Sequence, residues 1–148
     1  MALLKVGDVA PDFTLTSSEG APVSLRNFRG KTVILYFYPK DFTPGCTKEA
    51  CSFRDDYSEF IKRNVAVIGV SYDKPERHAE FRLKFTLPYV LLSDNEKKVS
   101  KMYGTEGIST AKRVTYVINK EGKIIEVYPD VNVNNHAKEI LELLDNIK

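Results

Sequence analysis

The sequence predicts an α/β fold in which helices flank a mixed central β-sheet, with a β-hairpin extension at the N-terminus. Three observations lead there. Apolar runs rich in β-branched and aromatic residues alternate with segments whose apolar residues recur at steps of three and four. The last two apolar runs are separated only by Asn119, Lys120, Glu121 and Gly122, which is hairpin spacing. The chain then closes on an amphipathic segment of helical period. At 148 residues it is most simply one domain, 1–148, large enough to bury a core without a metal or disulfide staple.

Taken in order, residues 13–15 and 23–25 around Glu19 and Gly20 read as a small hairpin. Residues 32–38 (TVILYFY) are a continuous β-rich apolar run, the mark of a strand buried on both faces, and Pro39 stops its pairing. Ala50, Phe53, Tyr57, Phe60 and Ile61 then share one helical face. Residues 65–72 (VAVIGVSY) form a second buried strand. Pro75 suits the first turn of a helix running to about Phe85. A short strand at 90–92 follows, then a helix over about 96–103 that stops at Gly104. Residues 114–118 and 124–128 are the two arms of the late hairpin. Ala137, Ile140, Leu141, Leu144 and Ile147 stripe the final helix. The sheet is expected to be parallel where helices cross over and antiparallel at the late hairpin. This is a thioredoxin-like pattern, extended at its N-terminus, and a fold alone does not carry a function.

Composition removes several function classes. The 22 basic and 20 acidic residues are interspersed, so no basic stripe marks a nucleic-acid footprint. No run approaches the ~20 apolar residues of a membrane span. The apolar stretch before Lys5 is too short for a secretory signal, so the expected location is the cytoplasm. Two cysteines in a reducing compartment point to redox chemistry or metal binding rather than a permanent staple. A metal is the weaker reading: the five-residue step misses the usual ligand spacing, and His78 and His136 look isolated. His78 aligns with Phe81 and Phe85 and reads as an edge packing residue. His136 falls near the start of the last helix with no partner in sequence.

The chemistry concentrates in residues 38–51 (YPKDFTPGCTKEAC). A buried strand ends, and Thr43, Pro44 and Gly45 lead into a helix whose first turn holds Cys46. The open amides and the positive dipole end of a helix favour an anion there, and the thiolate is the reactive form of cysteine. Thr43 can bring a hydroxyl close to the sulfur. On a continuous helix, Cys46 and Cys51 have Cα atoms roughly 8.7 Å apart and about 140° apart in direction. A disulfide needs less than about 7 Å, so any bridge between them requires the first helical turns to unwind. By itself the pair could also be two small buried hydrophobes.

The residues resemble the peroxiredoxin family. Pro39, Thr43 and Cys46 stand at the spacing of its active-site motif, and the context from Phe37 to Cys51 is similar to the peroxiredoxin Q (bacterioferritin comigratory protein) branch. The resemblance begins at Gly7-Asp8-Val9-Ala10-Pro11-Asp12-Phe13. It includes Gly69-Val70-Ser71, Leu92-Ser93-Asp94 and Gly122-Lys123-Ile124, and it continues to the last helix. It implies a thiol-dependent peroxidase with Cys46 as peroxidatic cysteine and Cys51 as resolving cysteine. Arg113 would stabilise the thiolate and the peroxide oxygens. Thr43 would hydrogen-bond sulfur and substrate, Pro39 would shield the site, Gly45 would be a supporting residue, and Glu49 would orient supporting hydrogen bonds. It implies no metal, haem, flavin or nucleotide cofactor, a peroxide substrate, a thioredoxin-like or other dithiol protein as reductant, and a monomer. Phe42 departs from the branch, which commonly has a small polar residue there, and this is expected to change access or substrate preference. A thioredoxin-type disulfide oxidoreductase usually wants Cys-x-x-Cys, which is missing, and a redox-regulated binding module would show little peroxide turnover.

Overall fold

The computed structural model describes residues 2–147. The apolar runs become strands β1 (Thr14–Ser17), β2 (Pro22–Ser24), β3 (Thr32–Phe37), β4 (Val65–Ser71), β5 (Val90–Ser93), β6 (Val114–Ile118) and β7 (Ile124–Tyr128). The helices are α1 (Pro44–Asp55), α2 (Tyr57–Lys62), α3 (Pro75–Phe85), α4 (Lys98–Tyr103) and α5 (His136–Asn146), with a 3-10 turn at Leu25–Phe28. One sheet runs in the order β2-β1-β5-β4-β3-β6-β7. Its centre, β5-β4-β3, is parallel, and the other neighbours are antiparallel. This is the mixed thioredoxin-like sheet with an N-terminal hairpin that the sequence predicts.

The two-residue period of β3 divides the core. Ile34, Tyr36 and Tyr38 join Phe53, Phe60, Phe81 and Ile140 on the face covered by α1, α2, α3 and α5. Val33, Leu35 and Phe37 join Ile68, Val70, Val99 and Tyr103 on the opposite face, under α4 and the N-terminal segment. Both faces of β3 are dry, which is why its sequence is a continuous apolar run rather than an alternation. Tyr36 stacks on Phe53 of α1 with ring centroids 4.9 Å apart, fixing that helix against the strand that precedes it.

Three local readings are corrected. The single helical face of Ala50 to Ile61 is broken at Asp56, which sits in the bridge region (φ −105°, ψ 11°) as both the end of α1 and the start of α2. Its carbonyl accepts from Glu59 and Phe60, so the chain turns there and leaves Ile61 56% exposed. Successive acids, Asp55 and Asp56, at a helix C-terminus oppose the helix dipole and favour such a stop. The helix expected from about residue 96 starts at Lys98, because the Asp94 carboxylate takes the amides of Val99 and Ser100 (3.2 and 2.8 Å) and Lys97 adopts a left-handed backbone. Ile147 lies past the end of α5 and is exposed. Gly104 ends α4 as expected, at φ 71°, where a Cβ would stand only 2.3 Å from the Ala2 carbonyl oxygen.

Candidate active site

β3 delivers the chain to the end of the sheet where the parallel strands finish. Pro44 opens α1 and Cys46 is its third residue. The first intrahelical bond on this stretch is Thr47 N–H to the Thr43 carbonyl (2.9 Å), so the amides of Gly45 and Cys46 precede the helical ladder. Cys46 faces inward with Ala50 and Phe53, each 1% exposed or less.

Antiparallel pairing supplies the charge. Val114 of β6 stands opposite Phe37 of β3, so the residue before β6 arrives where β3 ends. That residue is Arg113. Its Nη2 donates to Cys46 Sγ at 3.4 Å and its Nη1 donates to Glu49 Oε1 at 2.7 Å. Glu49 lies one helical turn beyond Cys46, which puts both on the same side of α1. Gly45 makes room: a Cβ there would meet Nη2 at 3.1 Å. Burial pushes the Glu49 carboxyl up to about 7, against the pull of Arg113. Its other oxygen is buried with no hydrogen-bond partner among the described residues, which adds to the cost of ionising it. Partial burial works against the Arg113 charge, but Glu49 and the Cys46 sulfur more than offset it and raise its pKa.

A model of the AhpC/TSA family matches residues 6–127. The chain is 41% identical over 150 residues to the Bacillus subtilis peroxiredoxin Bcp, covering 95% of each. The structure superposes on peroxidoxin BcpB from Mycobacterium tuberculosis with a TM-score of 0.93 at 35% identity, covering 98% of this chain and 99% of that one. The bacterioferritin comigratory protein of Xanthomonas campestris, described for its alkyl peroxide reduction activity, superposes with a TM-score of 0.90 at 28% identity, over 100% and 98% of the two chains. The chain belongs to the AhpC/TSA family of peroxiredoxins. It falls on the Bcp/peroxiredoxin Q branch and is a thiol-dependent peroxidase.

In this peroxiredoxin the expected residues divide into those that meet and those that do not. Cys46, Arg113, Glu49 and Gly45 form one contact group. The Thr43 hydroxyl gives its hydrogen to the Lys40 carbonyl at 2.8 Å rather than to the sulfur. Pro39 is half-buried just after Tyr38. Cys51 is a free thiol on the same unbroken helix as free Cys46. It is half-buried and lines an open groove of ≈ 350 Å³ with Lys48, Asp55 and Lys138. Burial raises its thiol pKa, with Arg54 opposing.

The histidines are where the sequence reading fails. His78 is not an edge residue but fully buried, with Nδ1 2.6 Å from Asp41 Oδ2 and Nε2 3.0 Å from the Leu92 carbonyl. Nor is it isolated, since Asp41, Asp73 and His78 bring three potential ligand atoms within 4.8 Å of one another. Those atoms are engaged in hydrogen bonds within the protein, and the group is explained without an ion. The readable signal was the spacing of His78 from Phe81 on a buried face, combined with a lone Asp41 in the loop before α1. His136 is also partnered: it lies 2.8 Å from Thr115 Oγ1 and 3.0 Å from Glu139, edge-on to Phe53 and Tyr128. Burial lowers its pKa, Glu139 opposing and Arg113 adding to the effect. Phe42 turns onto α3, packing on Phe81 and Phe85 with the Arg77 guanidinium 4.3 Å above its ring.

Proposed function

We propose that Cys46 is the peroxidatic nucleophile, a reading carried by the 3.4 Å contact between its sulfur and the Arg113 guanidinium at the start of α1. The Cys46 thiolate attacks one oxygen of a hydroperoxide in line with the O–O bond. An S–O bond forms, the O–O bond breaks, and the departing oxygen takes a proton and leaves as water or an alcohol. Arg113 and the first-turn amides stabilise charge on the peroxide oxygens. Glu49 steadies Arg113. Thr43, donating to Lys40, keeps its oxygen lone pairs for the peroxide O–H. Pro39 limits water. Cys46 is 1% exposed, so a peroxide reaches it through a small shift of Arg113 or of the turn 43–45.

Cys51 then resolves the sulfenic acid, forming a disulfide and releasing water after the start of α1 unwinds. A thioredoxin-like or other dithiol protein reduces that disulfide by exchange and becomes oxidised itself. The groove beside Cys51 supports its access to such a partner. Hydrogen peroxide and organic hydroperoxides are the substrates, in keeping with the alkyl peroxide reduction of the Xanthomonas relative. Peroxide and dithiol balance the electrons between them, so no step calls for a metal, haem, flavin or nucleotide. The same reading makes the protein a single-domain monomer of the cytoplasm, where a dithiol pool keeps both cysteines reduced, with no nucleic-acid or membrane partner. Among the described residues, no helix is long and apolar enough to cross a membrane.

Cys46→Ser is expected to abolish turnover. Cys51→Ser is expected to keep the first attack but lose reductant-supported cycling, and to accumulate sulfenic or more oxidised acid where the wild type loses two hydrogens by mass. Catalytic peroxide consumption by Cys46→Ser, or an unchanged coupled rate in Cys51→Ser, would remove the corresponding assignment.

A further inference from the structure

The loop between β3 and α1 is held firmly at one point. The Tyr38 hydroxyl donates to Asp41 Oδ1 at 2.5 Å, while His78 Nδ1 lies 2.6 Å from Oδ2. Burial and the neighbouring Asp41 raise the Tyr38 pKa well above its ordinary value, so that hydroxyl keeps its hydrogen. The Leu92 carbonyl can only accept, so His78 Nε2 carries a hydrogen toward it. The Asp41 amide donates to Asp73 Oδ2 at 2.9 Å, and the same oxygen receives the Ser71 hydroxyl at 2.6 Å. Tyr38, Asp41, Ser71 and His78 are each 1% exposed or less. Next comes Phe42, at φ 69°, a strained value for an aromatic residue that its packing on α3 maintains.

The following residues are held differently. The Thr43 hydroxyl bonds locally to the Lys40 carbonyl, and the Thr47 amide bonds locally to the Thr43 carbonyl. Opening such partly exposed local bonds costs less than orphaning the buried groups around Asp41. Four residues of extended chain reach about 13–14 Å. Cys46 must close only the difference between a helical separation of roughly 8.7 Å and a disulfide limit of about 7 Å. Cys46 therefore has the slack to meet Cys51 while residues 41 and 42 stay in place.

We propose that Asp41 and His78 are positioning residues. Together they form a fixed hinge from which the start of α1 unwinds and which returns Cys46 to Arg113 after each cycle. This rests on the assignment of Cys46 and Cys51 above.

Amide hydrogen exchange of the full chain, followed by NMR in the reduced and peroxide-oxidised forms, tests it. Oxidation is expected to speed exchange of the Thr47 amide by about 100-fold or more, and that of the Asp41 amide by less than about threefold. A disulfide-bonded protein whose Asp41 amide accelerates as much as that of Thr47 overturns the hinge alone. A protein that gains oxygen without losing two hydrogens overturns the Cys51 assignment and the hinge with it. In a Cys51→Ser background, His78→Leu is expected to slow sulfenic acid formation about tenfold by loosening the geometry. His78→Asn, which keeps a hydrogen-bonding group toward Asp41, is expected to recover most of that loss. Equal rates in His78→Leu and its parent overturn the proposal. If His78→Leu does not fold, the exchange comparison in the wild type decides.

Discussion

Arg113 holds two groups with one planar fork, Nη2 on the Cys46 sulfur and Nη1 on the Glu49 carboxyl. Arg113→Ala removes both contacts, and sulfenic acid formation at Cys46 is expected to slow by about 10²–10³-fold. Arg113→Lys keeps a charge but not the fork, and should fall between. The chain has no Trp, so quenched-flow mass spectrometry is a suitable readout. Glu49 carries a pH signature of its own. Its folded pKa, about 7, stands above its ordinary 4.5, because burial favours the uncharged acid. The stability associated with the uncharged form is therefore fully present below about pH 4.5 and lost as pH rises through about 7. Glu49→Gln cannot ionise there. Urea midpoints should shift against the wild type relative to Glu49→Gln between pH 5 and pH 8, and parallel profiles would contradict this.

At the scale of the element, the composition of α1 fits the proposed unwinding at one end. After Pro44, the first-turn residues Gly45, Cys46 and Thr47 are poor or indifferent helix formers, whereas Lys48, Glu49 and Ala50 are good ones. Both cysteines lie on this helix without a break between them, at a separation a disulfide cannot bridge. Peroxide is therefore expected to reduce the helical circular dichroism of the wild type by about one to two turns' worth. Cys51→Ser, which has no thiol to pull the helix open, should keep its signal under the same treatment. Equal spectra for reduced and oxidised wild type would mean that the helix survives disulfide formation.

For the molecule as a whole, α1 is part of the core as well as the carrier of the proposed chemistry. Cys46, Ala50 and Phe53 pack in the same apolar cluster as Tyr36, Phe60 and Ile140. Unwinding removes Cys46 from that cluster, and the disulfide closes too short a loop to compensate through chain entropy. The oxidised protein is expected to melt about 5 °C below the reduced one by calorimetry. The opposite order would mean that Cys46 contributes little to packing. Oxidation is expected to stay local, because the opposite cluster, around Leu35, Phe37 and Tyr116, shares no residue with α1.

Periodicity along the chain was enough for the strands, most helices, the late hairpin and the placement of Cys46 at a helix start, because those follow from neighbours within a few residues. The motif around Cys46 marked the proposed nucleophile, and likeness to a family marked Arg113. What stayed hidden were pairings between distant parts of the chain. Arg113 and Cys46 are 67 residues apart, and they meet because β6 runs antiparallel to β3. His78 and Asp41 are 37 apart, and whether a histidine on an apolar helix face packs at an edge or closes a buried network depends on what α3 covers. The Asp56 break was masked, since a helix-period pattern continues smoothly through it and only the adjacent acids Asp55 and Asp56 favour a stop. Local sequence governs backbone preference and which face is apolar. Which polar groups are buried together, and so must satisfy one another, is settled only when the sheet brings its elements into contact.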